Sequence, residues 1–428
     1  MTEYGNKLNP YRKLRKPRGL KGERRTLFNT HVPSTIDQTG ILTVRFPDLG
    51  KNDVIIPGTS KLSFKIELNS ENDANRLIVN NLGRAIVSKL EIKLEGQSIF
   101  TLNDSDIFHC YQDLWKTTKE RDNAAYQGIS TEEVRKIRVN AGNKGAAVKD
   151  VAIGTAYDNM FCIPLDFELL SSHMPFFQSE LKDRLSYELT FNNYGKVIVS
   201  SDADATYSVS DIHLEFETIT SSELATMLRN HHKGKFTILY DRIVRHSKHS
   251  LDKSDTIWNI SMAPQAKSMK GILVLFVDPA DAGGGALFKR DSEKFYNPKI
   301  TKVSTTLDGN PNQLFASGMK PHQHFDEIRK HFSDGKHRTL NAVAQELELA
   351  DVSLPDYLTT KFAIWLDMRS SDDNSLHGSG RRIEGASQSI QVEIEKKAET
   401  AGKLDAYVYY IQDGQLNFED GRLVSAMY

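Results

Sequence analysis

Apolar and polar residues alternate with a period of two through much of this chain, over Ile41 to Phe46, Leu62 to Leu68, Ile86 to Leu94 and Leu185 to Phe191. The pattern returns over Val209 to Phe216, Phe236 to Val244, Gly271 to Val277, Phe362 to Met368, Ile390 to Ile394 and Tyr407 to Ile411. Successive side chains of a strand point to opposite faces, so this period predicts strands with one face in a core. Turn formers punctuate the runs at Pro57-Gly58, Glu95-Gly96, Asn192-Asn193, Asp308-Gly309 and Asp413-Gly414. Many short strands separated by turns predict an all-β sandwich architecture.

Helical spacing is confined to a few places. Ile107, Phe108, Tyr111, Leu114 and Trp115 fall three or four apart, preceded by Asp104 and Ser105 as N-cap candidates. Phe325, Ile328 and Phe332 repeat the spacing more weakly, and Ser222 to Arg229 predicts a third helix near mid-chain. The polar stretch His231-His232-Lys233-Gly234 follows it and marks the expected domain boundary.

An internal repeat organises the rest. Ser88-Lys89-Leu90, Leu94-Glu95-Gly96 and Phe100 recur as Thr301-Lys302-Val303, Leu307-Asp308-Gly309 and Phe315, and a helical segment follows each copy. Phe161, Ile163, Leu165 and Asp166 recur as Phe362, Ile364, Leu366 and Asp367. Two anchors in the same order predict a duplicated β-sandwich. The expected division is a basic flexible arm over 1–26, a first sandwich over 27–220, a linker helix over 221–234 and a second sandwich over 235–428.

Length agrees with that division, since 428 residues exceed what one hydrophobic core normally holds. Apolar residues at 39% supply material for two cores. The longest apolar run, Ile272 to Val277, is far shorter than the roughly 20 residues a membrane span needs, and reads as a buried strand. With no apolar stretch after the N-terminal charges, no secretory signal is expected, and the protein is expected to be made inside a cell. Cys110 and Cys162 lie in apolar segments and are expected as buried, reduced thiols. The sequons at Asn103 and Asn259 are then expected to stay unmodified.

Net charge is −1, but residues 1–25 carry Lys7, Arg12, Lys13, Arg15, Lys16, Arg18, Lys21, Arg24 and Arg25 against Glu3 and Glu23, which leaves the remainder at −8. With its prolines and glycines and almost no large apolar residues, this stretch cannot fold alone. Its charges can neutralise phosphates without reading sequence, meet anionic lipid or an acidic partner, act as an import signal, or stay solvated.

Chemistry for an enzyme does not assemble. His322-x-His324 and His231-His232 have no evident third ligand, so no metal site is assigned and all four are expected as solvated. Gly283-Gly284-Gly285 and Gly378-Ser379-Gly380 do not join a strand to a helix, and Pro57-Gly58-Thr59-Ser60-Lys61 has the wrong order for a phosphate-binding loop. No serine nucleophile elbow occurs. Catalytic residues and cofactors are accordingly assigned as none.

Three segments carry a family resemblance: ILTVRFPDLGKNDVIIPGTSKLSFKIEL, NNLGRAIVSKLEIKLEGQSIF with the helix after it, and YVYYIQDGQLNFEDGRLVSAMY. With the repeat and the basic arm, they resemble the double jelly-roll major capsid proteins, most of all those of Maverick and Polinton elements and adintovirus-like viruses. The resemblance implies two tandem jelly-roll sandwiches with a few short helices in loops. It implies a structural, non-enzymatic homotrimer of pseudo-hexagonal outline that tiles an icosahedral virion shell assembled in the host cell. Neighbouring capsomers, penton and minor capsid proteins would be partners. The basic arm would lie inside, against genome DNA, an inner membrane or a minor capsid protein. The polar stretches Thr117 to Asp158, Asp278 to Asn297 and Arg369 to Ser387 would form outer loops and trimer contacts. The rival reading is a two-domain carbohydrate-binding or adhesin-like sandwich protein, and a third is a hydrolase with paired carboxylates in a cleft between the sandwiches.

Overall fold

The computed structural model describes residues 23–30, 35–56, 58–69, 77–130, 160–165, 181, 184–199, 206–232, 234–279, 291–311, 317–332, 352–369, 380–383 and 389–428. The alternating segments form strands that pair antiparallel throughout. In the first half one sheet runs β1 (Glu23–Thr30), β12 (Thr206–Thr220), β5 (Lys61–Asn69), β9 (Met160–Pro164), with β2 (Thr35–Asp37) and β4 (Asp53–Ile55) also on β12. Facing it are β3 (Ile41–Arg45), β10 (Leu185–Phe191), β7 (Val87–Leu94) and β8 (Gln97–Asn103), in that order. A separate two-stranded ribbon joins β6 (Leu77–Ile78) to β11 (Ile198–Val199).

The second half repeats the arrangement. One sheet runs β13 (Lys235–Asp252), β21 (Lys403–Glu419), β15 (Ala266–Val277), β18 (Ala363–Asp367), with β19 (Arg381–Ile383) on β15 and β22 (Arg422–Met427) on β21. The other runs β14 (Ile257–Met262), β20 (Ile390–Lys396), β16 (Ile300–Leu307), β17 (Asn310–Pro311). Each half is thus a sandwich of a six-stranded and a four-stranded antiparallel sheet, with the same order along the four principal strands of each, and the repeats read from sequence fall on β7 and β16 and on β9 and β18. The two-residue turns of the repeat are also alike. Glu95 and Gly96 have φ of 46° and 82°, and Asp308 and Gly309 of 52° and 77°. Two left-handed residues in a row match the twist of a two-residue hairpin, and an acidic residue followed by glycine tolerates that conformation best.

Alternation becomes burial as expected. In β10 Leu185, Tyr187, Leu189 and Phe191 are buried and the residues between them are not. Phe46, just past β3, packs on Tyr187 of its own sheet and on Phe216 of the opposite one, at ring separations of 6.0 and 5.4 Å. Ile272 to Val277 of β15 and all of β18 are buried on both faces, so a third layer lies against this sheet. Cys110 and Cys162 are both buried.

Among the described residues seven short α-helices decorate the sandwiches: α1 (Leu82–Ala85), α2 (Ser105–Asp113), α3 (Thr118–Asp122), α4 (Tyr194–Val197), α5 (Ser222–His232), α6 (Pro321–Phe332) and α7 (Leu354–Thr359). The three helices expected from sequence are α2, α5 and α6. The helix expected to link the halves, α5, packs Leu224, Ala225 and Leu228 on Val54 and Ile219 of the first sandwich.

Three expectations need correction. Asp413-Gly414 is no turn, for β21 runs through it, and the absence of a side chain at Gly414 makes room for the Tyr240 ring 2.7 Å from where a Cβ would lie. Asp104 does not cap α2 with its side chain; its carboxylate meets Arg245 at 2.9 Å. The arm does not reach residue 26, because the backbone from Glu23 onward is already β1, paired with β12.

Gly309 has open space around its Cβ position, so only its backbone conformation resists substitution. Gly309→Ala is expected to cost about 1 kcal/mol, whereas Asp308→Asn, which keeps the oxygen that accepts the Ser389 N–H at 3.0 Å, is expected to be near neutral. Midpoints of urea unfolding would check both.

Candidate functional site: the seam between the two sandwiches

The nine basic residues picked out by sequence separate. Lys7, Arg12, Lys13, Arg15, Lys16, Arg18 and Lys21 lie outside the described residues, as do the glycine runs at 283–285 and 378–379. Arg24 and Arg25 lie in β1 opposite Ile219 and Thr218. The feature that the structure adds is the junction of the two halves.

It is built around α2. The helix projects Phe108, Tyr111 and, just beyond its end, Trp115 from the first half into the second. Phe108 meets Tyr409 at 5.4 Å and Phe332 at 6.4 Å; Tyr111 meets Phe295 edge-on at 4.9 Å; Trp115 meets Phe325 at 5.9 Å. These separations are those of favourable tilted aromatic pairs. The periodicity that marked this helix in the sequence therefore serves the junction of the halves as well as a local core.

Polar groups close the seam around this centre. The Arg121 guanidinium reaches both oxygens of Glu293 at 2.8 and 3.0 Å, with the two residues only 8% and 3% exposed. Asn80 donates to Glu293 at 2.7 Å, and Lys361 donates to its carbonyl at 2.8 Å. Tyr409 donates to the Asp104 carbonyl and Tyr428 to that of Ile99, at 2.8 and 2.9 Å. Behind Arg121, Asp113 is fully enclosed by Arg84 at 3.1 Å, Lys116 at 2.9 Å, Asn81 at 3.1 Å and Gln127 at 2.6 Å. Burial by itself would raise the Asp113 pKa, but Arg84, Lys116 and Asn81 outweigh it and hold the carboxyl well below the usual range.

Thr117 sets the direction of α3, which carries Arg121, through a reciprocal cap. Its hydroxyl accepts from Glu120 N–H at 3.2 Å and its own N–H donates to the Glu120 carboxylate at 2.9 Å. Arg121 and Glu293 belong to stretches expected to form outer loops. Both face inward instead, because each is the other's charge partner. No spacing in the sequence announces a pair 172 residues apart.

The histidines divide. His322 is exposed as expected. His324 is fully buried, contrary to the expectation of a solvated side chain, because its place on α6 faces β18. Its Nδ1 lies 3.1 Å from the Trp365 carbonyl, which makes it the donor there. Burial drops its pKa to about 4. His331 stacks on the Trp365 ring at 4.1 Å, and burial lowers its pKa to about 3. Among the described residues no group of three metal-ligating side chains occurs.

Three carboxylates at the seam are held by cations: Asp106 by Lys196 at 2.8 Å, Asp113 by Arg84, Glu293 by Arg121. A cavity of about 40 Å³ beside them, lined by Ile107, Cys110, Val277 and Phe295 and by Asp106, Lys196, Asp291 and Lys294 among others, has room for a few waters.

Arg121→Ala is expected to cost about 3–5 kcal/mol by leaving Glu293 buried and unpaired. Joint replacement of both by apolar residues of similar size is expected to restore most of that. A double-mutant cycle in chemical unfolding would measure the difference. His324 has a folded pKa below its unfolded one, so its contribution is full above about pH 6.5 and is lost as pH falls toward 4. The loss is on the order of 3 kcal/mol, and His324→Gln is expected to make the fall across that window shallower while His331 keeps part of it, as read from unfolding midpoints at each pH.

No protein-family profile and no curated protein matches this sequence. Solved structures do. The chain superposes on the PBCV-1 virus capsid protein with a TM-score of 0.60 at 11% identity, covering 96% of this chain and 98% of that one. Against the Faustovirus major capsid protein the TM-score is 0.61 at 7% identity, covering 94% and 91%. Against the mavirus major capsid protein it is 0.51 at 15% identity, covering 94% and 90%. Identities this low establish architecture, and the architecture is that of the double jelly-roll capsid proteins: an all-β chain of two tandem jelly-roll sandwiches with short helices between strands.

Proposed function

We propose that this protein is a viral major capsid protein, of the kind carried by Maverick and Polinton elements and adintovirus-like viruses. Three copies form a capsomer of pseudo-hexagonal outline that tiles an icosahedral virion shell. The observation that carries the reading is the duplication itself: two sandwiches of identical strand order fused through an aromatic seam with a buried ion pair. Three such chains present six similar wall units, and a closed ring covers sheet edges that a lone subunit leaves open. Similarity to capsid proteins over nearly the whole chain supports it. Neighbouring capsomers, penton and minor capsid proteins are the expected partners, and Lys7 to Arg25 are placed on the inner side toward genome DNA, an inner membrane or a minor capsid protein.

The role is structural. Asp106, Asp113 and Glu293 are each engaged by Arg or Lys, which disfavours them as the acid and nucleophile pair of a hydrolase. Light scattering coupled to size exclusion is expected to give three times 48.3 kDa, or shell-like particles by electron microscopy. A monomer under all salt and pH conditions would overturn the proposal.

A further inference from the structure

The two four-stranded sheets overlay row by row, because the repeat sets Leu90 of β7 at the place of Val303 of β16. Leu90 pairs with Leu189, and Leu189 with Leu42, in the first half; Val303 pairs with Ile394, and Ile394 with Trp258, in the second. Counting from that row, Ile41, Thr43 and Arg45 of β3 stand where Ile257, Asn259 and Ser261 of β14 stand. Glu188 of β10 likewise stands where Glu393 of β20 stands.

Both β3 and β14 end their sheets, each paired on one side only among the described residues. The other end of the first sheet, β8, is engaged within the chain, where its Ile99 carbonyl accepts from Tyr428 of the second half at 2.9 Å. The β3 end lies across the sheet from that contact and is open. Ile41 is 58% exposed and Ile257 is 53% exposed. One exposed isoleucine says little, but the same side chain at the same place in both halves is a property of the repeated unit. Charge then sets the two faces apart. On the first, Lys89 pairs with Glu91 at 3.1 Å and Lys93 with Glu188 at 2.7 Å, which leaves the exposed Arg45 over. On the second, Lys302 pairs with Glu395 at 3.0 Å, which leaves the exposed Glu393 over. Neither Arg45 nor Glu393 has a charge partner among the described residues. One face thus carries a spare cation and the other a spare carboxylate, each beside an exposed isoleucine.

We infer that the β3 face of the first half, through Ile41 and Arg45, docks on the β14 face of the second half, through Ile257 and Glu393, of a copy in the adjoining capsomer. The inference rests on the capsomer reading and adds where capsomers meet. Halves alternate around a ring of three chains, so opposite sides of the pseudo-hexagon carry unlike halves. Capsomers laid side by side in one orientation therefore meet first half to second, which brings the spare cation to the spare carboxylate. Turning one capsomer so that like halves meet would set Arg45 against Arg45 or Glu393 against Glu393, and that repulsion selects the first arrangement. A single exposed contact of this kind is weak; repeated on every side of a capsomer, it holds a shell by multivalency.

The test compares wild type, Arg45→Glu, Glu393→Arg and the double reversal as full-length chains. Light scattering coupled to size exclusion reads the trimer, sedimentation velocity with electron microscopy reads association beyond it, and circular dichroism checks that each chain is folded. The expected result is a trimer for all four, with either single reversal needing about tenfold or more protein to associate further and the double reversal restored toward wild type. Ile257→Thr, which keeps a β-branched side chain on the strand, is expected to weaken the same association without touching charge. Single reversals that associate like wild type, a double reversal that restores nothing, or wild-type trimers that never associate further overturn this inference and leave the capsomer reading standing. A wild-type monomer in all conditions overturns both.

Discussion

The second half of this chain carries a sheet that is apolar on both faces, and most of the remaining architecture follows from the need to cover its outer side. Leu273, Leu275, Tyr409 and Trp365 would otherwise present a patch larger than soluble surfaces usually tolerate. The cover is drawn from the other half, through Phe108, Tyr111 and Trp115, and from α6 within the same half. Two sandwiches that could each have been independent are thereby fused into one continuous apolar cluster. The junction is part of the core, which sets it apart from the wetter contacts usual between domains.

Charge is admitted to this seam only where it is answered. Arg121 with Glu293, Arg84 and Lys116 with Asp113, and Lys196 with Asp106 each place a cation and a carboxylate together in surroundings that would penalise either alone. Such pairs add less to net stability than their geometry suggests, since desolvation offsets the attraction. What Arg121 with Glu293, the pair among these that crosses between the halves, supplies is register: sliding one half on the other would strand both charges in buried surroundings. For a protein whose proposed task is to present six similar units at fixed angles, that orientational precision matters more than extra stability.

Much of this was legible in the sequence. Alternation located the principal strands, the acidic-glycine turns at Glu95-Gly96 and Asp308-Gly309 located equivalent hairpins, and the spacing of Phe108, Tyr111 and Trp115 located α2. The period of two ends where a strand is covered on both sides or bends, which is why β12, β13 and β21 proved longer than their alternating cores and why Asp413-Gly414 resembled a turn. The seam was hidden for a different reason. The pair Arg121–Glu293 joins residues 172 apart, and nothing in the immediate neighbours of Arg121, Glu293 or His324 distinguishes an enclosed side chain from a solvated one.

The longest pairing among the described residues, β13 against β21, runs from Lys235 opposite Glu419 to Asp252 opposite Lys403. At about 3.3 Å per residue, an 18-residue strand makes a rib about 60 Å long. In any wall that stands such ribs on end, thickness is fixed by backbone pairing and not by side chains. Adding one residue to a rib turns the following side chains to the opposite face unless a bulge absorbs it, as happens between Arg245 and Ser247 of β13. Thickness therefore changes by residues inserted in twos or by insertions that bring their own bulge, which makes the depth of the wall among the slower properties of such a protein to drift.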